Sequence, residues 1–203
     1  MNVSVNNEDD RKLDFTLSKS SVSFANLLRR FTISQVPTFA IDKVTVYENS
    51  STLFDEYLAH RIGQIPLKIS VSVQADEEAL FTLDAAGPCT VYSGELRTSH
   101  DKIRVALDKI PLLKLMQEQN LRLEGKAVSG IGRKHAKWQA GLAGYEILKD
   151  GGFSFKVEGF MQLPPRQMVL TASGLIEEKC AQISEQLEVI RKENKESKKK
   201  KED

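Results

Sequence analysis

Late in the sequence, apolar residues recur at Ile176, Cys180, Ile183, Leu187 and Ile190, at spacings of four, three, four and three. This is a heptad stripe, the narrow seam by which one helix packs along one other helix. A helix lying on its own sheet carries a wider apolar face. The sequence therefore predicts a helix that needs a partner helix, with an ordinary core-facing helix as the competing reading. Pro164-Pro165 opens this helix, because proline is tolerated in a first turn. Residues 191–203 contain no apolar side chain and end in a lysine run, Lys198 to Lys201, followed by Glu202-Asp203. They read as a disordered, solvated tail.

The rest of the chain is dominated by strand patterns. Val3 and Val5, then Leu13, Phe15 and Leu17, alternate with polar residues and predict a hairpin of two half-buried strands. Ser20 or Ser21 caps a helix carrying Phe24, Leu27, Leu28 and Phe31, which Pro37 terminates. Phe39, Ile41, Val44 and Val46 form a strand whose apolar phase slips near Asp42, the mark of a bulge. One of residues 49–52 caps a short helix that presents Leu53, Tyr57 and Leu58 and stops at Gly63. Ile65, Leu67, Ile69, Val71 and Val73 alternate strictly and predict a strand. Further strands are expected at Phe81–Leu83, Thr90–Arg97, Leu121–Ala127 and Gly141–Leu148, with an extended piece and a helical turn within 103–115 and a loop from Gly130. Asp150-Gly151-Gly152 is a hairpin turn leading to Phe153, Phe155 and Val157. The fold class is α+β.

Composition removes several functions. The 203 residues are 40% hydrophobic and 28% charged, which suits a globular core, and the net charge of +1 gives no general attraction to nucleic acid. No apolar run approaches a membrane span and the start lacks the pattern of a signal peptide, so a reduced, cytoplasmic protein is expected. Cys89 and Cys180 stand alone and His60, His100 and His135 are scattered, so no metal and no cofactor is expected. Nucleotide polymerisation uses clustered carboxylates to hold metal ions, and no Asp-x-Asp arrangement occurs. Asp55 and Glu56 are adjacent, and adjacent helical residues do not share a face. His60 or His135 could serve a small enzyme, but neither sits in a motif with a nucleophile and an orienting acid. Arg133, Lys134, Lys137 and Trp138 form a basic, aromatic loop. Its residues alone suit base stacking or a protein interface about equally.

Four segments carry a resemblance. Asn26-Leu27-Leu28-Arg29-Arg30-Phe31 resembles the first-helix signature of the alpha-type subunits of multisubunit RNA polymerases. Residues 49–67, with Asp55-Glu56, Ala59-His60-Arg61, Gly63 and Ile65-Pro66-Leu67, resemble the archaeal and eukaryotic members, the archaeal form being called the D-type. Gly132-Arg133-Lys134-His135-Ala136-Lys137-Trp138 is similar to a loop late in their inserted domain, and Leu163-Pro164-Pro165 to the entry of their last helix.

The resemblance implies an antiparallel dimerisation domain with two long helices, built from residues 1–47 and 151–190 and interrupted by a β-rich domain at 48–150. It implies a scaffold without catalytic residues, acting as one subunit of a nucleotidyltransferase. Phe24, Leu27, Leu28 and Phe31, with the late heptad stripe, would pair with a small L-like subunit. Arg29, Arg30, Asp55, Glu56, His60, Arg61, Arg133, Lys134, His135, Lys137 and Trp138 would contact the largest and second-largest subunits. Small zinc-binding subunits would join, and DNA would be met only through the complex. The cysteine-rich iron–sulfur insertion of many archaeal relatives is missing here, since Ile147 leads to Phe153 through a short turn. The rival reading is a free-standing nucleic-acid-binding module using residues 133–138.

Overall fold

The computed structural model describes residues 1–70 and 76–199, with side chains as far as Arg191. It opens with the hairpin of β1 (Asn2–Glu8) and β2 (Lys12–Ser18). The Asp9 carboxylate closes the turn by accepting the backbone N–H groups of Arg11 and Lys12, each at 2.7 Å. Leu13, Phe15 and Leu17 are buried, but β1 is exposed throughout, which corrects the expectation of two half-buried strands. Val3 and Val5 lie opposite Leu17 and Phe15 and share their face. Among the described residues nothing fully covers them.

Ser21 is the cap of α1 (Val22–Ser34), its hydroxyl accepting the Phe24 N–H at 3.2 Å. β3 (Pro37–Asn49) pairs with β10 (Asn120–Ile131) so that Lys43 faces Lys126 and Ile41 faces Ala127. Asp42 is thus the extra residue of a bulge, where the apolar phase slips. α2 (Asp55–Gly63) starts after Phe54 with no side-chain cap. Asn49 and Ser51, expected to cap it, bond to each other and organise the preceding loop. β4 (Leu67–Ile69) is short, and Val71 and Val73 lie outside the described residues.

The middle section adds β5 (Ala79–Ala86), β6 (Cys89–Tyr92), β7 (Arg97–Thr98), β8 (Ile103–Val105) and β9 (Pro111–Leu115). The helical turn expected within 103–115 is absent. Its residues form β9, which pairs with β6 and buries Leu112, Leu113 and Leu115. β10 runs to Ile131, past the expected start of the loop. β11 (Gly141–Ile147) and β12 (Phe153–Gly159) form a hairpin whose Gly151 has a φ of 79°, a conformation glycine adopts freely. α3 (Pro165–Lys199) completes the chain.

One sheet has the order β1-β2-β12-β11 and a second β3-β10-β5-β7, with β4-β8 and β6-β9 as separate pairs. Each four-stranded sheet has its own core. Leu13, Phe15, Leu17, Phe153, Phe155 and Val157 pack beneath α1 and α3, and the rings of Phe15 and Phe155 stack at 4.8 Å. Phe81, Leu83, Leu121 and Leu123 pack with Leu58 and Ile62 of α2.

Two strands sit with different neighbours from those expected. Residues 37–47, grouped from sequence with the chain ends, pair with β10 and bury Phe39 and Ile41 in the second core. Residues 141–147, grouped with the middle, pair with β12. Alternation fixes which face of a strand is buried and leaves its neighbour open. Where a charged tail was expected from Arg191, α3 continues as helix to Lys199. Lysine and glutamate are good helix formers, and no proline interrupts them. Residues 200–203 lie outside the described residues.

Candidate subunit interface

α3 has two unlike halves. Met168, Ala172 and Ile176, spaced at four residues, are buried against the sheet and α1. Every residue from Glu177 to Arg191 is exposed. Ile183, Leu187 and Ile190 are 51–61% exposed. At 1.5 Å per residue this half extends about 20 Å, and among the described residues none of its side chains is buried. The heptad stripe is thus exposed to solvent from Cys180 to Ile190.

The other helix behaves differently. Leu28 is buried, and Phe24 and Phe31 are partly buried against the same core. Leu27 is the exposed apolar residue of that set. The stripe expected to face a partner thus mostly covers its own sheet, because α1 must also bury Ala25 and Thr32. Ile176, at the head of the heptad, is buried as well.

A basic groove of about 890 Å³ runs beside α1, lined by Arg29, Arg30, Arg133 and Lys179 together with Asn26 and Phe31. Asn26 accepts from the Arg29 guanidinium at 3.0 Å and orients it. Arg133 reaches the groove because its backbone N–H donates to the Ser34 carbonyl at 2.9 Å, docking the loop on the end of α1. Gly132 permits this approach, since a Cβ there would stand 2.7 Å from the Ile33 carbonyl oxygen. Sequence reasoning missed Lys179, whose neighbourhood depends on how α3 crosses α1.

Trp138 is a correction. Its ring is 2% exposed, its Nε1 donates to the Val128 carbonyl at 3.1 Å, and its own carbonyl accepts the Thr38 hydroxyl at 2.7 Å. It cannot stack on a base or enter a partner. Lys134 and Lys137 lie over the ring, at 4.9 and 4.4 Å from its centroid. Lys137 also donates to Asp42 at 2.6 Å, and that bond holds the Asp42 carboxyl below its ordinary pKa against the opposing effect of burial. Of the loop, Arg133, Lys134 and His135 remain exposed. The stacking platform that a nucleic-acid module would need is therefore gone.

On α2, Asp55, Glu56 and His60 are exposed, and Asp55 accepts from Asn49 at 2.7 Å. Arg61 donates to the Pro111 carbonyl, which ties α2 to β9. Tyr57, His60, Arg61 and Gln64 border a shallow hollow with Ile110. The α1 groove and the α2 surface are distinct patches. Among the described residues no group of three His, Cys, Asp or Glu side chains is placed to hold a metal ion, and no helix is long and apolar enough to cross a membrane.

Residues 44–154 match the family described as the RNA polymerase Rpb3/RpoA insert domain. A DNA-directed RNA polymerase subunit Rpo3 of Methanocaldococcus jannaschii is 42% identical over 172 residues, covering 85% of this chain and 88% of the relative. This chain belongs to the Rpb3/RpoA family of RNA polymerase subunits. Rpo3 of Natronomonas pharaonis is 43% identical over 142 residues, 70% of this chain and 58% of the relative. Rpo3 of Pyrococcus horikoshii is 39% identical over 158 residues, 74% of this chain and 61% of the relative. The chain therefore spans about three fifths of the length of these last two. The Rpb3/RpoA match starts within β3 and ends within β12, so it takes in α2, the loop at 133–138 and the second core apart from Phe39 and Ile41.

Proposed function

We infer that this chain is a non-catalytic assembly subunit of a DNA-directed RNA polymerase. It corresponds to the archaeal D-type subunit in the form without an iron–sulfur insertion, the short turn from β11 to β12 standing in the insertion's place. The chain ends form a dimerisation unit that pairs with a small L-like subunit. The pair then receives the second-largest subunit, followed by the largest, with small zinc-binding subunits at the periphery. Arg29, Arg30 and Arg133 on one patch, with His60 and Arg61 on another, supply polar contacts to the large subunits, because arginine's planar fork suits protein interfaces. The contribution to RNA synthesis is geometric, and DNA is met only through the complex.

The observation that carries this reading is the exposed stripe of Ile183, Leu187 and Ile190 on a helix that leaves the body of the protein. Three large aliphatic side chains in water on one helical line represent several kcal/mol of unrealised burial, at about 1.5–3 kcal/mol each. The test is Ile183→Asp with Leu187→Asp in a chain co-expressed with the small subunit. The double variant is expected to lose the heterodimer on size-exclusion chromatography while its second core stays folded. Continued co-elution would remove the seam from the interface.

A further inference from the structure

The chain crosses between its two cores twice. Gln35 and Val36 lead from α1 into β3, and residues 132–140 lead from β10 into β11. The two crossings are tied to each other. Ile131 pairs with Pro37 at the end of the β3–β10 ladder, and the Arg133 N–H donates to the Ser34 carbonyl at 2.9 Å. This side of the junction is a pivot. Shared apolar packing adds little to it. Among the described residues, Ile69 is the single side chain that packs against both cores, and Trp138, though buried, belongs to neither.

A third tie is not covalent. After β12 the chain turns at 160–163 to enter α3, and Gln162 of this turn reaches the other half of the molecule. Its side-chain amide donates to the Lys137 carbonyl and its backbone carbonyl accepts the Ile69 N–H, each at 3.3 Å. Lys137 is itself held to β3 by Asp42, and Ile69 ends β4. Both bonds of Gln162 are long for N–H···O pairs. Two features of the turn oppose them. Gln162 is 3% exposed, yet its Oε1 has no hydrogen-bond partner among the described residues, so a desolvated acceptor stays unpaired. Met161 beside it has a φ of 69°, a conformation unfavourable to a residue with a Cβ. Both costs fall within two residues, and both disappear when Gln162 withdraws into water. An unpaired buried acceptor costs about as much as an ordinary hydrogen bond contributes. The turn is therefore closely balanced between holding and releasing, while the pivot carries neither cost.

We propose that the turn at 160–163 is a releasable latch, and that the two halves of the molecule swing about the crossings at 34–37 and 131–133 when Gln162 lets go. The latch stands at the root of α3, which Pro165 opens. The exposed seam of α3 lies on one half and the α2 surface on the other. The latch thus sets whether the two surfaces are presented in one fixed relation. It is a property of the fold, independent of which subunits bind.

The experiment measures distances between spin labels in the full chain, with Cys89→Ser and Cys180→Ser removing the native thiols. Lys156→Cys with Asp84→Cys places one label on β12 and one on β5, at positions exposed in the two halves. Asp84→Cys with Lys114→Cys places both within one half, again at exposed positions. With the turn unaltered, the expected distance between halves is a dominant narrow component beside a minor broad one. Gln162→Ala raises the ratio of broad to narrow by about tenfold and leaves the distance within one half unchanged. Adding Met161→Asn to that variant restores part of the narrow component, because asparagine adopts positive φ more readily and the backbone carbonyl of residue 162 still accepts from Ile69. A Gln162→Ala chain with the same narrow distance as the unaltered one overturns the proposal, since the halves are then fixed without the latch. Broadening of the distance within one half overturns it as well, because Gln162 would then support the fold of that half and not its orientation. Failure of Met161→Asn to restore any narrow component also overturns it, because the backbone of the turn would then play no part in release.

Discussion

The burial of Trp138 depends on having no side chain at position 130. A Cβ on Gly130 would lie 2.5 Å from the indole ring. Gly130→Ala is therefore expected to destabilise the protein by about 1–3 kcal/mol through overpacking, read as a lower midpoint in thermal unfolding. An unchanged midpoint would mean that the ring has room to shift. Asp42 makes a pH-dependent contribution through Lys137. Its folded pKa is depressed below the ordinary 3.8, so the stability it adds is present above that value and is lost as pH falls through the folded value. Asp42→Asn is expected to be less stable than the parent at pH 7 and to approach it in acid, as the pH falls below 3.8 and through the depressed folded value. Urea unfolding at the two pH values measures the difference, and a gap that does not narrow in acid would remove Asp42 as its cause. At this scale the sequence was informative where the signal was local. The Ser21 cap and the Asp42 bulge follow from neighbouring residues. Trp138 was misread because a basic, aromatic run looks the same whether its ring points outward or inward. What turns it inward is Thr38 and Val128, remote in sequence.

Elements were legible in proportion to their periodicity. The heptad in α3 and the alternation in β2 and β12 were read from spacing alone, because spacing sets which residues share one face of an element. The partners of β3 and β11 were not, since two strands of the same pattern can exchange neighbours without altering either pattern. The extent of α3 beyond Arg191 was also missed. Charged residues say that a segment is solvated, and a solvated segment can still be helical. The exposure of this half of α3 sharpens the seam test. Glu177 to Arg191 are all exposed, so Ile183→Asp with Leu187→Asp should change the stability of the free chain by no more than about 0.5 kcal/mol, leaving lost pairing as the principal effect.

At the scale of the whole molecule, the two cores divide the labour. The second core, with α2 and β10, buries Leu58, Ile62, Phe81, Leu83, Leu121 and Leu123, while Phe54, Tyr57 and Met116 at its edge are exposed. The first core leaves apolar surface on α3 and β1 in water, and such surface on a free protein favours association. A small subunit that pairs along α3 as proposed, and binds the folded state alone, raises the unfolding free energy by about 2.7 kcal/mol at one hundred times its dissociation constant, and the unfolding temperature rises with its concentration. Calorimetry across a range of partner concentrations measures this. A midpoint that stays fixed while the complex forms would show that the partner binds the unfolded chain equally well.

The stacking of Phe15 on Phe155 has a consequence for biosynthesis. β2 leaves the ribosome early with β1 on one side, yet β12, which flanks it on the other, is translated only after the entire second core. A nascent chain interrupted before Phe155 has no ring to set against Phe15 and no α3 to lay across the sheet. A product that stops before Phe155 would therefore lack both the closed first core and the surface of α3.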